Sequence, residues 1–118
     1  MSEKQVRKKN KRCYYSDYVN HAIRFYLSTP EGLKVEGKKK ADVSNWMAVQ
    51  SVFYSLPDAD RELLTAVYNR HYRLSEAVRI YCTEKYPDDV EKRKGFESDL
   101  WTLIAKTGAV IAKRRGLI

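Results

Sequence analysis

The side chains best suited to chemistry in this sequence are basic, and they are grouped. Lys4, Arg7, Lys8, Lys9, Lys11 and Arg12 crowd the first twelve positions, and Lys38-Lys39-Lys40 form a second run. Cations at that density neutralise phosphates and release counterions, which is the chemistry of binding a nucleic-acid backbone. A solvated arm or loop is the other use of such runs. The formal net charge of +8, from 23 Lys+Arg against 15 Asp+Glu, is uneven along the 118 residues. Residues 1–40 hold eleven basic and four acidic side chains, whereas residues 41–118 hold twelve and eleven. There are nine tyrosines, of which Tyr14-Tyr15, beside the basic run, could stack on bases. Tyr18, Tyr26, Tyr68 and Tyr81 fall at helical spacing and fit core or interface packing.

Other chemistries fail for want of partners. Asp58, Asp60 and Glu62 are the densest carboxylates, but positions two apart on a helix do not face each other, and a favourable first turn accounts for them. Cys13 and Cys82 form no CxxC pair and His21 and His71 stand alone, too few ligands for zinc and no disulfide framework. Cys82 reads as a small buried hydrophobe. The Gly-rich phosphate loop, GxSxG, HExxH and any supported Ser/His/Asp or Cys/His grouping are missing. No catalytic residue, metal or cofactor is therefore expected, and the chain reads as a non-enzyme.

The elements that must carry the basic groups follow from periodicity. Residues 1–13 read as a basic, unstructured arm, since Val6 is the one aliphatic residue of the first twelve after Met1. Tyr18, Val19, Ala22, Ile23, Tyr26 and Leu27 predict a first helix, capped by Ser16 or Asp17 and ended before Pro30. A loop with Gly32 and Gly37 leads to a second helix, capped by Asp42 or Ser44, with Val43, Trp46, Met47, Val49, Phe53 and Leu56 as its core stripe. Leu56-Pro57-Asp58 opens a third helix carrying Leu63, Leu64, Val67 and Tyr68. After a turn over Arg70–Arg73, Ser75 starts a fourth helix with Ala77, Val78, Tyr81 and Cys82, stopped by Tyr86-Pro87. Gly95 is read as breaking the charged stretch from Asp88 to Lys94. Glu97-Ser98-Asp99 then caps a last helix with Leu100, Leu103, Ile104, Thr107 and Ile111 on one face, ended by Gly116. Trp46 and Trp101, each beside large apolar residues, are expected to be mostly buried. The fold class is all-α: about five helices in one compact domain, residues 14–118, divided into an N-terminal helical pair (14–55) and a C-terminal half (56–118). The apolar runs are too short to span a bilayer, and the charged start does not suit a signal peptide, so a cytoplasmic protein with no membrane partner is expected.

The C-terminal half has the helix order of a helix-turn-helix unit: scaffold helix, a helix to cross the DNA backbone, and a helix whose exposed residues reach base edges. The Leu56-Pro57…Arg61 start and the Gly95-Phe96-Glu97-Ser98-Asp99-Leu100 stretch resemble region 4 of bacterial sigma factors. The chain also resembles small sigma-like regulators encoded by phages and mobile elements of Gram-positive bacteria. That likeness runs through Tyr18-Val19-Asn20-His21, Arg24-Phe25-Tyr26, Leu100-Trp101-Thr102-Leu103-Ile104 and Ala112-Lys113-Arg114-Arg115-Gly116-Leu117-Ile118. It implies a transcription regulator that binds double-stranded DNA and touches RNA polymerase. Against the family pattern, the turn before the last helix, over residues 86–95, is either lengthened or occupied by a short extra helix.

On this reading Glu97, Ser98, Asp99, Thr102 and Lys106 form the recognition face, with 98, 102 and 106 one turn apart. Lys113, Arg114 and Arg115, with Arg7, Lys8, Lys9, Lys11 and Arg12 of the arm, hold phosphates. The rival reading is an all-helical adaptor or homo-oligomer that binds no DNA and offers its aromatic helices to a protein partner.

Overall fold

Apolar side chains recurring every three or four positions build five helices in the computed structural model, which describes residues 14–70 and 73–118. They are α1 (Ser16–Leu27), α2 (Lys40–Ser55), α3 (Asp58–Tyr68), α4 (Leu74–Lys85) and α5 (Val90–Arg114). Among the described residues all regular structure is helical, so the all-α expectation holds. The arm over residues 1–13, with Arg7, Lys8, Lys9, Lys11 and Arg12, lies outside the described residues.

α1 packs against α2, α3 and α5; α5 packs against α1, α2 and α4; α3 and α4 close the remaining side. Ile23 and Val19 of α1, Phe53 and Val49 of α2, Leu64 of α3, Val78 of α4 and Leu100 and Ile111 of α5 share one core. Each such side chain, fully buried, contributes ~1.5–3 kcal/mol against exposure. α1 and α5 approach closely where Gly108 has no side chain: a Cβ there would lie 3.6 Å from a Val19 methyl. Arg24 ties α1 to the end of α3, its guanidinium donating to the carbonyls of Tyr68 (3.0 Å) and Arg70 (2.9 Å), which lack helical partners.

Helix starts differ from expectation by a residue or two in α1 and α4 and by three to five in α2. Tyr15, Lys39 and Arg73 occupy the N-cap positions of α1, α2 and α4, and none makes a side-chain capping bond. Because α2 starts earlier, Asp42 falls in its first turn, where the helix dipole favours a carboxylate. Its inward face is also shifted. Asn45 and Ala48 are buried, while Met47 is 59% exposed.

The larger correction concerns α5. It begins at Val90 and runs through Gly95 without a break, so the turn from α4 is only residues 86–89 and was not lengthened. Asp89 is the cap, accepting from the Lys92 N–H at 3.0 Å. Arg93 reaches back to the carbonyls of Tyr86 (3.1 Å) and Pro87 (3.4 Å), and Phe96 packs between Tyr81 and Tyr86. A mid-helix glycine costs ~1 kcal/mol relative to alanine, a penalty that the cap and the aromatic cluster outweigh. The expected end at Gly116 is found. Gly116, at φ +73°, follows the last turn; its N–H meets the Lys113 carbonyl and the Leu117 N–H meets that of Ala112, the Schellman pattern.

One tryptophan also parts from expectation. Trp46 is half-buried against Tyr26 and donates its indole N–H to Thr29 Oγ1, but Trp101 is 36% exposed. It lies on the flank of α5, where α1 and the start of α4 leave a cleft instead of a packed neighbour.

Candidate nucleic-acid interface

Because α5 turns 100° per residue, its inner face takes Leu100, Ile104 and Ile111, and the opposite face is left to solvent. Ser98, Asp99, Thr102 and Lys106 are exposed there together, and Lys113 continues the same side one and a half to two turns on. The Thr102 hydroxyl donates back to the Ser98 carbonyl at 3.0 Å, so it is turned along its own helix. Glu97 is set apart from this group. It is half-buried on the inward flank, near Cys82 of α4. Burial pushes the Cys82 thiol up, and the Glu97 carboxylate adds to the shift. A thiol so held stays protonated at neutral pH and is a poor nucleophile, in keeping with the complete burial of Cys82.

The C-terminal end of α5 is built more elaborately than the sequence suggested. Lys113 and Arg114 are exposed, but Arg115 is partly buried and donates from Nε to Asn45 Oδ1 of α2. The Asn45 amide in turn donates to the Tyr18 hydroxyl of α1 at 2.9 Å. The Tyr14 hydroxyl donates to the Leu117 carbonyl. Three helices and the residues preceding α1 thus meet where α5 stops. Arg115 holds that junction together, a role that limits its freedom to reach a phosphate. No local sequence signal marks these bonds, since their partners lie 27 to 103 positions apart.

The opposite end of α5 forms the corner with α4. Lys85 lies over the rings of Tyr86 and Phe96, at 5.8 and 5.5 Å. Asp88, Asp89 and Glu91 there offset Lys92, Arg93 and Lys94. Elsewhere, a cleft of 780 Å³ between α1, α4 and α5 is lined by Asn20, Arg73, Ser75, Trp101 and Gly108 among others. Its lining combines an exposed indole with scattered polar groups. Among the described residues no group of three His, Cys, Asp or Glu side chains could hold a metal ion, and no helix is long and apolar enough to cross a membrane.

No protein-family model, no curated protein and no solved structure matches this chain.

Proposed function

We propose that the chain is a non-enzymatic DNA-binding transcription regulator of phage or mobile-element type, acting in the cytoplasm, with double-stranded DNA as its main partner and RNA polymerase as a second. The observation that carries the reading is the C-terminal end of α5. Lys113 and Arg114 are exposed there, and Tyr14, bonded to Leu117, is reached directly from the sequence bearing Lys4, Arg7, Lys8, Lys9, Lys11 and Arg12. The described chain thus begins beside Lys113 and Arg114, and a phosphate backbone held there gains from each cation that can reach it. The order α3, α4, short link, α5 supports the helix-turn-helix reading, with Ser98, Asp99, Thr102 and Lys106 as the residues turned to base edges and Glu97 withdrawn from that set.

Titration of a random-sequence duplex at several salt concentrations tests this directly. The Lys113→Ala/Arg114→Ala variant is expected to weaken binding to every sequence and to lower the log-log salt slope by up to about 2. Deleting residues 1–12 acts in the same direction, and Lys106→Ala acts mainly on a preferred sequence. A wild-type chain that leaves duplex DNA free at low salt removes the reading.

One observation favours the adaptor reading instead. Met47 and Tyr54, seven positions apart and so on one face of α2, are 59% and 69% exposed. Concentration-dependent sedimentation that Met47→Ser/Tyr54→Ser abolishes, in a chain that ignores DNA, would establish it.

A further inference from the structure

We infer that Lys38, Lys39 and Lys40 form, with Lys113 and Arg114, a single contact surface for the phosphodiester backbone of duplex DNA. The inference rests on the DNA-binding reading and extends it to residues that the helix-turn-helix resemblance does not use. Its first support is position. Arg115, which follows Arg114 where α5 stops, is bonded to Asn45 of α2, so the end of α5 that bears Lys113 on its outer side comes up to α2; Asn45 lies five positions after Lys40, about 7.5 Å along the helix axis. The three lysines are exposed and start α2 on the side of the molecule where α5 ends.

The second support is that the lysine run has a defined backbone. The Lys38 N–H donates to the Val35 carbonyl at 3.0 Å, closing a turn in which Gly37 adopts φ +75°. That angle is costly for other residues and free for glycine. Lys39 is then the N-cap of α2 and Lys40 its first residue. The ammonium groups thus spring from a tight turn and a helix start.

The third support is that the fold itself gains nothing from them. A helix N-terminus favours anions, and a cation there forgoes or reverses a stabilisation that cations enjoy at a C-terminus. Lys39 also occupies a cap position that Ser, Thr, Asp or Asn would fill with a hydrogen bond, and it makes none. Asp42 in the first turn offsets part of the charge. Lys113 and Arg114, in the last turn of α5, are by contrast where a helix welcomes cations. Helix electrostatics therefore explain the pair at 113–114 and oppose the three at 38–40. An external polyanion resolves the conflict, because it compensates both groups at once. Departures from local preference of this kind concentrate at functional surfaces.

The experiment measures binding and stability on the same full-length variants. Lys38→Ala/Lys39→Ala/Lys40→Ala is expected to lower affinity for a random duplex by about tenfold or more at 0.1 M salt and to reduce the salt slope by up to about 3. Its melting temperature should stay level or rise. Lys38→Arg/Lys39→Arg/Lys40→Arg should keep both affinity and slope. If the alanine variant binds as wild type while Lys113→Ala/Arg114→Ala loses affinity, the inference fails and the DNA-binding reading stands. Wild-type chain that does not bind duplex overturns both. Should the alanine variant lose binding together with a large drop in melting temperature, and the arginine variant fail to restore it, the lysines are structural and the inference is overturned. Preference for a single strand, or for anionic vesicles, over the duplex also overturns it.

Discussion

The two ends of α5 are finished in different ways. At the Val90 end a carboxylate caps the helix, an arginine clamps the preceding turn, and three aromatic rings and a lysine stem fill the corner with α4. The charges from Asp88 to Lys94, three acidic and three basic, balance. At the Arg114 end hydrogen bonds gather α1, α2 and α5, and Lys113, Arg114 and Arg115 have no acidic residue beside them in sequence. The difference divides one helix into unlike parts: the corner over residues 85–96 holds α4 and α5 together, while the uncompensated charge sits some twenty residues further on.

Phe96→Ala should have the largest effect on that contrast. Phe96 is half-buried between Tyr81 and Tyr86, and truncation should cost about 2 kcal/mol, less than for a wholly buried ring. Below the lowered melting temperature, duplex affinity should be unchanged. A loss of affinity matching that of Lys113→Ala/Arg114→Ala would break the division of labour. Glycine gives the next comparison. Gly116→Ala forces alanine to φ +73° and should destabilise by ~1–2 kcal/mol. The same substitution at Gly95, in open space within the helix, should stabilise by ~1 kcal/mol. Chemical denaturation of the two variants reads both signs. If Gly95→Ala proves destabilising, α5 does not run unbroken from Asp89.

These two glycines also show what the sequence could and could not reveal. Gly116 follows Lys113-Arg114-Arg115 after a long apolar stripe, so its role as a helix terminator is local and legible. Gly95 invites the same reading but is overruled by Phe96, which packs against residues 81 and 86, and by Asp89, whose capping role is masked by the charges around it. The five helices were legible because each buries a stripe at helical spacing. The exposure of Trp101 was not, since whether α1 and α4 close over it depends on how three helices cross. For the candidate site, the grouping of Ser98, Thr102 and Lys106 follows from spacing alone. The withdrawal of Glu97 was legible too, since it stands seven positions before Ile104 and so on the inward face; the bonding of Arg115 to Asn45 depends on the approach of α2 and leaves no such mark.

The bond between Tyr14 and Leu117 brings residues near opposite ends of the described chain into contact. A short peptide from Leu117 to Tyr14 could therefore close the backbone into a ring with little loss of loop entropy. Opening that ring among residues 31–37, which are outside every helix, would give a circular permutant with α2 first and α1 last. Such a rearrangement keeps every helix contact while moving new chain ends to the loop ahead of Lys38. Affinity tags attached there would hang beside the lysine run at the start of α2, whereas the turn between α4 and α5, over residues 86–89, is another exposed place to carry a label.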